Sequence, residues 1–179
     1  MNTAEGLTAI FDEMRGVFAR MPPDAPAQLA REIAKARRIL VYGVGRNGLV
    51  LQSFAMRLMH LGLDGHFVGQ LSTPPVGPGD LLFMALALGR LPTGEAIVNS
   101  AKAAGTRIVV ISARPDAVAA DLVIPLPAQT IADPMTSILP LGSPFELALS
   151  LFSDLTVIEL MTLLERSNSD LAARHANLL

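Results

Sequence analysis

The fold is decided by residues 39–48, Ile39-Leu40-Val41-Tyr42-Gly43-Val44-Gly45-Arg46-Asn47-Gly48, in which a short apolar run leads into a glycine-rich turn. The run predicts a β-strand, and the residues after the turn, 46–61, predict a helix. Glycines at G-x-G-x-x-G spacing permit a tight bend and close backbone approach, and the first N–H groups of the helix attract an anion. The turn therefore predicts an anion site, with a tight strand-to-helix turn that binds nothing as the alternative.

Outward from this turn, short apolar segments alternate with helical ones. Strands are predicted at residues 39–42, 66–68, 81–86, 107–111 and 122–126, with helices at 46–61 and 94–104 and a short helical turn at 116–120. Two helices precede the first strand. After a loop that contains prolines, a long helix is predicted over 143–166, with Ser143 as N-cap and Pro144 at the first helical position. This alternation is typical of a parallel sheet with helices on both faces.

At 179 residues, the chain is predicted to form a single domain over 1–179. Its predicted parts are N-terminal helices in residues 1–37, a parallel α/β core in 38–126 and the long C-terminal helix in 142–166. That helix carries apolar residues around almost its whole circumference. We therefore expect it to be buried, between subunits.

Composition narrows the class of protein. Hydrophobic residues make up 51% of the chain, but no apolar run reaches the roughly 18 residues of a membrane-spanning helix. We expect no membrane partner, and the excess of apolar surface predicts a homo-oligomer. Lysine and arginine total 14 against 16 acidic residues and form no long basic run, so no nucleic-acid partner is expected. The chain has no cysteine and no signal-peptide pattern at its start, which excludes disulfides and predicts a cytoplasmic location.

The residues after the second predicted strand argue against a dinucleotide. A dehydrogenase would need an acidic residue there to bind the ribose hydroxyls. The chain instead has Val68-Gly69-Gln70, and the nearest acid, Asp64, precedes the strand. Arg46, within the glycine turn, carries a charge that suits a phosphate or a sugar hydroxyl.

Four further blocks of sequence resemble one enzyme family over nearly the whole chain. They are Phe54-Ala55-Met56-Arg57-Leu58-Met59-His60-Leu61-Gly62, Gly79-Asp80-Leu81-Leu82, Leu139-Pro140-Leu141-Gly142-Ser143-Pro144-Phe145-Glu146 and Arg174-His175-Ala176-Asn177-Leu178. With the glycine turn, these blocks resemble the 6-phospho-3-hexuloisomerases, members of the sugar isomerase (SIS) class. The first and last blocks are far more specific than the glycine turn alone.

The resemblance implies a fold and a reaction. The fold is the three-layer α/β SIS fold, a flavodoxin-like five-stranded parallel sheet with helices on both faces, assembled as homodimers or homotetramers with active sites near subunit boundaries. The reaction interconverts hex-3-ulose 6-phosphate and fructose 6-phosphate, without a metal or other cofactor.

The resemblance also implies catalytic residues. Moving a carbonyl to the neighbouring carbon needs a base that takes and returns a proton through an enediol, and Glu146 matches the family's catalytic glutamate. Without the resemblance, Glu146 would be interpreted as a residue that interacts with the helix N-terminus. His175 is a candidate proton shuttle in a neighbouring subunit's pocket, because imidazole titrates near neutrality, although a tail histidine is usually just exposed.

One loop departs from the family pattern. Members have a Ser-Gly-Ser-Gly-Glu-Thr loop after the third strand that holds the substrate phosphate. In this chain the loop is replaced by residues 86–93, with leucines in place of the serines. Arg90 could replace the hydroxyls by its charge and Thr93 as N-cap and hydroxyl donor, so that Gly45, Arg46, Asn47 and Thr93 form the ligand cradle with Arg90. Alternatively, the loop is remodelled and the chain is a non-catalytic sugar-phosphate-binding protein.

Overall fold

The computed structural model describes residues 1–177 as five parallel strands in one sheet with helices around it. The strands are β1 (Ile39–Gly43), β2 (Gly65–Phe67), β3 (Leu81–Ala85), β4 (Arg107–Ser112) and β5 (Leu122–Pro125). Their order in the sheet is β2-β1-β3-β4-β5. This order confirms the predicted flavodoxin-like topology. Leu178, the last residue of the terminal block, lies outside the described residues.

Six α-helices and one short 3₁₀ helix connect and flank the strands. They are α1 (Thr3–Phe18), α2 (Ala25–Lys35), α3 (Arg46–His60), α4 (Pro92–Ala103), α5 (Ser143–Leu163) and α6 (Asn168–Ala172), with the 3₁₀ helix at Pro115–Ala117. Helix α5 ends three residues before the predicted Arg166. Glu165 adopts a left-handed conformation (φ 53°), and the N–H groups of Glu165 and Arg166 donate to the carbonyls of Thr162 and Met161. These two bonds form a Schellman motif that stops the helix without a glycine.

The core is divided between the two faces of the sheet because successive strand residues point to opposite sides. On one face, Ile39, Val41 and Phe83 pack with buried residues of α1, α2, α3 and α5. On the other, Leu40, Leu82 and Met84 pack with Val98 and Ala101 of α4. The sheet therefore lies between two helical layers, as predicted, with most of the helices on one side.

This topology creates a crevice beyond the carboxyl ends of the strands. The connections after β1 and β3 leave their adjacent carboxyl ends toward opposite faces, and ligands of open parallel sheets bind at such a point. The register pairs Gly43 at the end of β1 with Ala85 at the end of β3.

Within residues 1–177, no helix is both long and apolar enough to cross a membrane.

Candidate active site

A cleft of about 400 Å³ opens at the carboxyl ends of β1 and β3. One wall comes from the loop after β3 and is mainly apolar, and the opposite wall comes from the start of α5 and from the segment before it. The lining residues are Val44, Asn47, Ala85, Leu86, Ala87, Leu88, Arg90, Leu91, Thr130, Ile131, Leu141, Gly142, Phe145 and Glu146.

The glycine turn lies beside this cleft, and its glycines have two different physical roles. A Cβ at Gly48 would lie 2.5 Å from the Gly43 carbonyl oxygen, so β1 and α3 approach this closely only because side chains are absent. Gly45 is the N-cap of α3 and has a left-handed φ of 59°. Open space surrounds the position where its Cβ would lie. A ligand can therefore approach the backbone at Gly45.

Glu146 lies in the first turn of α5 and faces the start of α3. Its carboxylate Oε2 is 2.8 Å from Arg46 Nη1, and the side chains are 17% and 65% exposed respectively. The contact is an ion pair without hydrogen-bond geometry. One N–H of Arg46 Nη1 donates to Ser143 Oγ at 2.7 Å. Gly142, rather than the predicted Ser143, is the N-cap of α5, and it contributes no side-chain cap.

Two buried acceptor atoms in the cleft have no hydrogen-bond donor within the described part of the chain. They are Glu146 Oε2 and the amide oxygen Asn47 Oδ1. A buried acceptor without a hydrogen bond costs free energy. The Arg46 guanidinium offsets this cost by its charge at Glu146 Oε2, so Asn47 Oδ1 is the atom that most needs a donor. Hydroxyl groups of a bound sugar would supply the missing donors. Helix α5 has no side-chain cap, and Glu146 Oε2 has no hydrogen-bond partner within residues 1–177, so this oxygen does not cap the helix.

The two residues predicted to replace the phosphate loop have different positions. Arg90 lines the cleft. Its Nε donates to Glu95 Oε1 at 2.8 Å. Thr93 does not cap α4, so that prediction was wrong: Leu91 is the N-cap and Pro92 opens the helix. Thr93 is exposed and accepts a hydrogen bond from the Tyr42 hydroxyl at 3.2 Å.

His175 is not brought to the cleft of its own chain. It stacks on His60, at the far end of α3, with ring centroids 5.4 Å apart and planes inclined by 17°. Helix α3 runs from the carboxyl edge of the sheet to the opposite edge, so His175 and Glu146 lie at opposite ends of the molecule. Its predicted role in a neighbouring subunit's pocket remains a prediction.

Sequence patterns did not reveal three features of the site. Ser143 is a partner of Arg46, Leu141 turns into α5 with a left-handed φ of 55°, and Thr130 lines the cleft. Thr130 is fixed by Asp133, whose Oδ2 accepts from its backbone N–H at 2.7 Å and its hydroxyl at 2.8 Å. The Thr130 N–H is the main cause that lowers the pKa of Asp133, aided by the Thr130 hydroxyl and Arg114. A leucine with positive φ is uncommon, and no local sequence pattern indicated it at Leu141.

No group of three or more acidic, histidine or cysteine side chains suited to a metal ion occurs among residues 1–177. The polar groups of the cleft are a carboxylate, an amide, a hydroxyl and two nearby guanidinium groups. These groups suit a ligand with several hydroxyls and an anionic substituent.

Comparisons with known proteins agree with this arrangement, although no protein-family model matches the chain. The 3-hexulose-6-phosphate isomerase of Mycobacterium gastri is 37% identical over 177 residues, covering 96% of this chain and 89% of that protein. The 3-hexulose-6-phosphate isomerase of Bacillus subtilis is 34% identical over 186 residues, covering 99% of this chain and all of that protein.

Solved structures give the same result. A crystal structure from Methanococcus jannaschii, for which a molecular function of 3-hexulose-6-phosphate isomerase is inferred, has a TM-score of 0.83 at 32% identity, covering 98% of this chain and 99% of that one. The sugar isomerase domain of a transcription factor from Sphaerobacter thermophilus has a TM-score of 0.73 over 96% of this chain and 94% of that one, but at 16% identity it shows the fold alone. The fold is thus the SIS fold, and the chain belongs to the family of the 3-hexulose-6-phosphate isomerases.

Proposed function

We propose that this protein isomerises 3-hexulose 6-phosphate to fructose 6-phosphate, with Glu146 as the base. The observation that carries the proposal is Glu146 Oε2, a buried carboxylate oxygen without a hydrogen-bond donor, in a cleft at the carboxyl ends of β1 and β3. A base must keep a lone pair available for the proton that it abstracts; no hydrogen bond within residues 1–177 occupies this oxygen, and the Arg46 guanidinium 2.8 Å away holds it ionised. The names of the relatives favour the isomerase over the non-catalytic alternative.

The chemistry is a proton transfer between adjacent carbons. Glu146 takes the proton from C2 of the 3-ketose, the electron pair forms the C2=C3 bond, and the C3 carbonyl oxygen gains a proton. In the resulting enediol, the C2 hydroxyl then gives up its proton while Glu146 returns the carbon-bound proton to C3. The product is the 2-ketose, and no atoms or electrons are gained or lost.

Four further predicted site residues fit around this step, and Thr93 is not among them. The Asn47 amide oxygen accepts a sugar hydroxyl, and the open backbone at Gly45 lets the substrate approach. Arg46 holds the carboxylate and has further N–H groups for a sugar oxygen. Arg90 is the candidate for the phosphate, because only one of its N–H groups is used by Glu95.

We also propose a cytoplasmic homodimer or homotetramer. Large apolar side chains are exposed on the outer faces of two neighbouring helices: Leu49, Met56 and Met59 on α3, and Leu155, Ile158 and Leu163 on α5. Such a surface favours association with a second copy. His175 would act as a proton shuttle only in such an assembly, since it lies far from Glu146 of its own chain.

The test is hydrogen exchange during turnover. Purified protein is incubated with fructose 6-phosphate in deuterium oxide, and NMR follows deuterium at C3 and the appearance of the 3-ketose. Glu146→Gln keeps the shape of the side chain but removes the base, so we expect the rate to fall about 10²- to 10⁴-fold. Glu159→Gln, at an exposed position of the same helix, should retain full activity.

Three other outcomes of this experiment would each point to a different conclusion. Exchange at C1 in place of C3 would indicate an aldose–ketose isomerase. Exchange at C3 that persists in Glu146→Gln would assign the base to another residue. Tight binding of fructose 6-phosphate without any exchange would support the non-catalytic protein.

A further inference from the structure

Ser143 occupies a buried position beside Arg46 and Glu146 that the proposed reaction leaves unexplained. It is the first residue of α5 and only 7% exposed. Its hydroxyl oxygen accepts from Arg46 Nη1 at 2.7 Å, across 97 positions of sequence. The same nitrogen is 2.8 Å from Glu146 Oε2, yet makes no hydrogen bond to it.

The hydroxyl has no other evident task in the described structure. A serine at the start of a helix usually caps it, but here Gly142 is the N-cap and no side chain caps the helix. Ser143 and Glu146 are three positions apart on α5, a spacing that places them on one face of the helix. The helix itself thus fixes the hydroxyl beside the carboxylate.

This arrangement affects what Glu146 can do as a base. An arginine that donates directly to a carboxylate oxygen occupies a lone pair and weakens the oxygen as a proton acceptor. If Arg46 donates to Ser143, the guanidinium still attracts and orients the carboxylate by charge. The lone pair of Oε2 then stays available for the substrate proton.

We propose that Ser143 is a positioning residue, whose hydroxyl accepts one N–H of Arg46 Nη1 and so holds the guanidinium in an orientation that aims no N–H at Glu146 Oε2, the proposed base. This inference rests on the proposed function. Ser143 acts through Arg46 and contacts no reacting atom. We therefore expect its loss to lower kcat with little change in KM.

The kinetic test compares Ser143→Ala with the conservative Ser143→Thr. In Ser143→Ala, we expect kcat to fall about 10-fold with KM changed less than about twofold, because the chemical step alone is affected. Ser143→Thr retains the hydroxyl and should recover at least about a third of the wild-type kcat. Ser150→Ala, on the same helix and without a described hydrogen bond, is the matched control and should behave as wild type. Circular dichroism and thermal unfolding check that each variant is folded.

A double-mutant cycle tests whether the effect passes through Arg46. If it does, Ser143→Ala should have little further effect on kcat in an Arg46→Met background. Two results would overturn the proposal: an unchanged kcat in Ser143→Ala, or the same fold loss with and without Arg46.

A crystal structure of Ser143→Ala separates this inference from the proposed function. Without the hydroxyl, the Arg46 guanidinium should rotate to donate directly to the Glu146 carboxylate. Arg46 remaining in its wild-type position would refute the positioning role. This readout holds even if the wild-type protein does not turn over fructose 6-phosphate, an outcome that would refute the isomerase proposal on its own.

Discussion

Arg90 is the exposed cationic side chain on the otherwise apolar wall of the cleft. Its side chain is 73% exposed and pairs with Glu95 through Nε. The hydrogen bond to Glu95 raises the pKa of Arg90, so the guanidinium is always charged at physiological pH. Exposed pairs of this kind contribute little to stability. The pair instead orients the guanidinium and leaves both terminal nitrogens for a phosphate.

Arg90→Gln should therefore weaken substrate binding more than chemistry. We expect KM for fructose 6-phosphate to rise about 10-fold or more with kcat changed less than about threefold, because a charge-assisted contact to the phosphate is lost in ground and transition states alike. Steady-state kinetics measure both constants. Glu95→Gln, which releases Arg90 but keeps its charge, should leave KM unchanged or lower it. A KM in Arg90→Gln equal to that of wild type would show that the phosphate binds elsewhere.

At the scale of single residues, sequence predicted those roles that depend on local backbone. The spacing of the glycines was sufficient because Gly43, Gly45 and Gly48 act within one turn. The pairing of Arg46 with Ser143 joins residues 97 positions apart, and no local rule contains it. Thr93 was misplaced because two local preferences compete: threonine favours the N-cap, but Pro92 favours the first helical position, and the proline determined where α4 begins.

At the scale of elements, the sheet was predictable because strands buried on both faces form continuous apolar runs. Each predicted strand is present, with ends shifted by one residue or so. Helix α6 was not predicted: it has five residues, and its capping box of Ser167 and Asp170 precedes no apolar run. The end of α5 was missed because its left-handed residue is Glu165 rather than glycine.

The Arg37–Asp80 pair joins two such elements, the end of α2 and the turn that enters β3. Asp80 is 1% exposed. Its carboxylate accepts from Arg37 Nε and Nη2, both at 3.0 Å, and from the Gly77 N–H at 3.0 Å. The hydrogen bonds of Arg37 are the main cause that lowers the pKa of Asp80, with the Gly77 N–H next among those lowering it. The carboxylate thus stabilises the fold above the ordinary aspartate pKa of about 4, and that contribution is lost as pH falls below it.

Asp80→Asn should make the free energy of unfolding smaller and less dependent on pH in the acidic range. Near neutral pH we expect a loss of about 1–2 kcal/mol, because hydrogen bonds to a charged group are replaced by weaker ones. Between about pH 5 and pH 3, wild type should lose more stability than the variant. Urea unfolding across this range measures both. Asp12→Asn, in an exposed pair on α1, is the control and should follow the wild-type pH profile; an Asp80→Asn profile parallel to wild type would contradict the role of this pair.

At the scale of the whole molecule, two of the blocks that resemble the enzyme family contact each other at the end of the molecule opposite the cleft. They are the block that begins at Phe54 and the block that begins at Arg174. His60 of the first block stacks on His175 of the last. Gly62 lies against Arg174: a Cβ there would be 3.1 Å from Arg174 Nε, and its φ is 85°. The blocks are thus partners in docking the C-terminal segment onto α3. Helix α3, about 22 Å long by its 15 residues, links this contact to the glycine turn of the active site.

This docking should depend on pH through His60, which is 3% exposed. Its burial is the main cause that lowers its pKa, and the neighbouring Arg57 and His175 add to it. Neutral His60 therefore stabilises the fold above the ordinary histidine pKa of about 6.5, and this contribution is lost as pH falls below that value. Wild type should lose more free energy of unfolding between about pH 7.5 and pH 5.5 than His60→Gln, measured by urea unfolding at both pH values. Equal losses in wild type and His60→Gln would mean that the stacked histidines do not couple the C-terminal segment to pH.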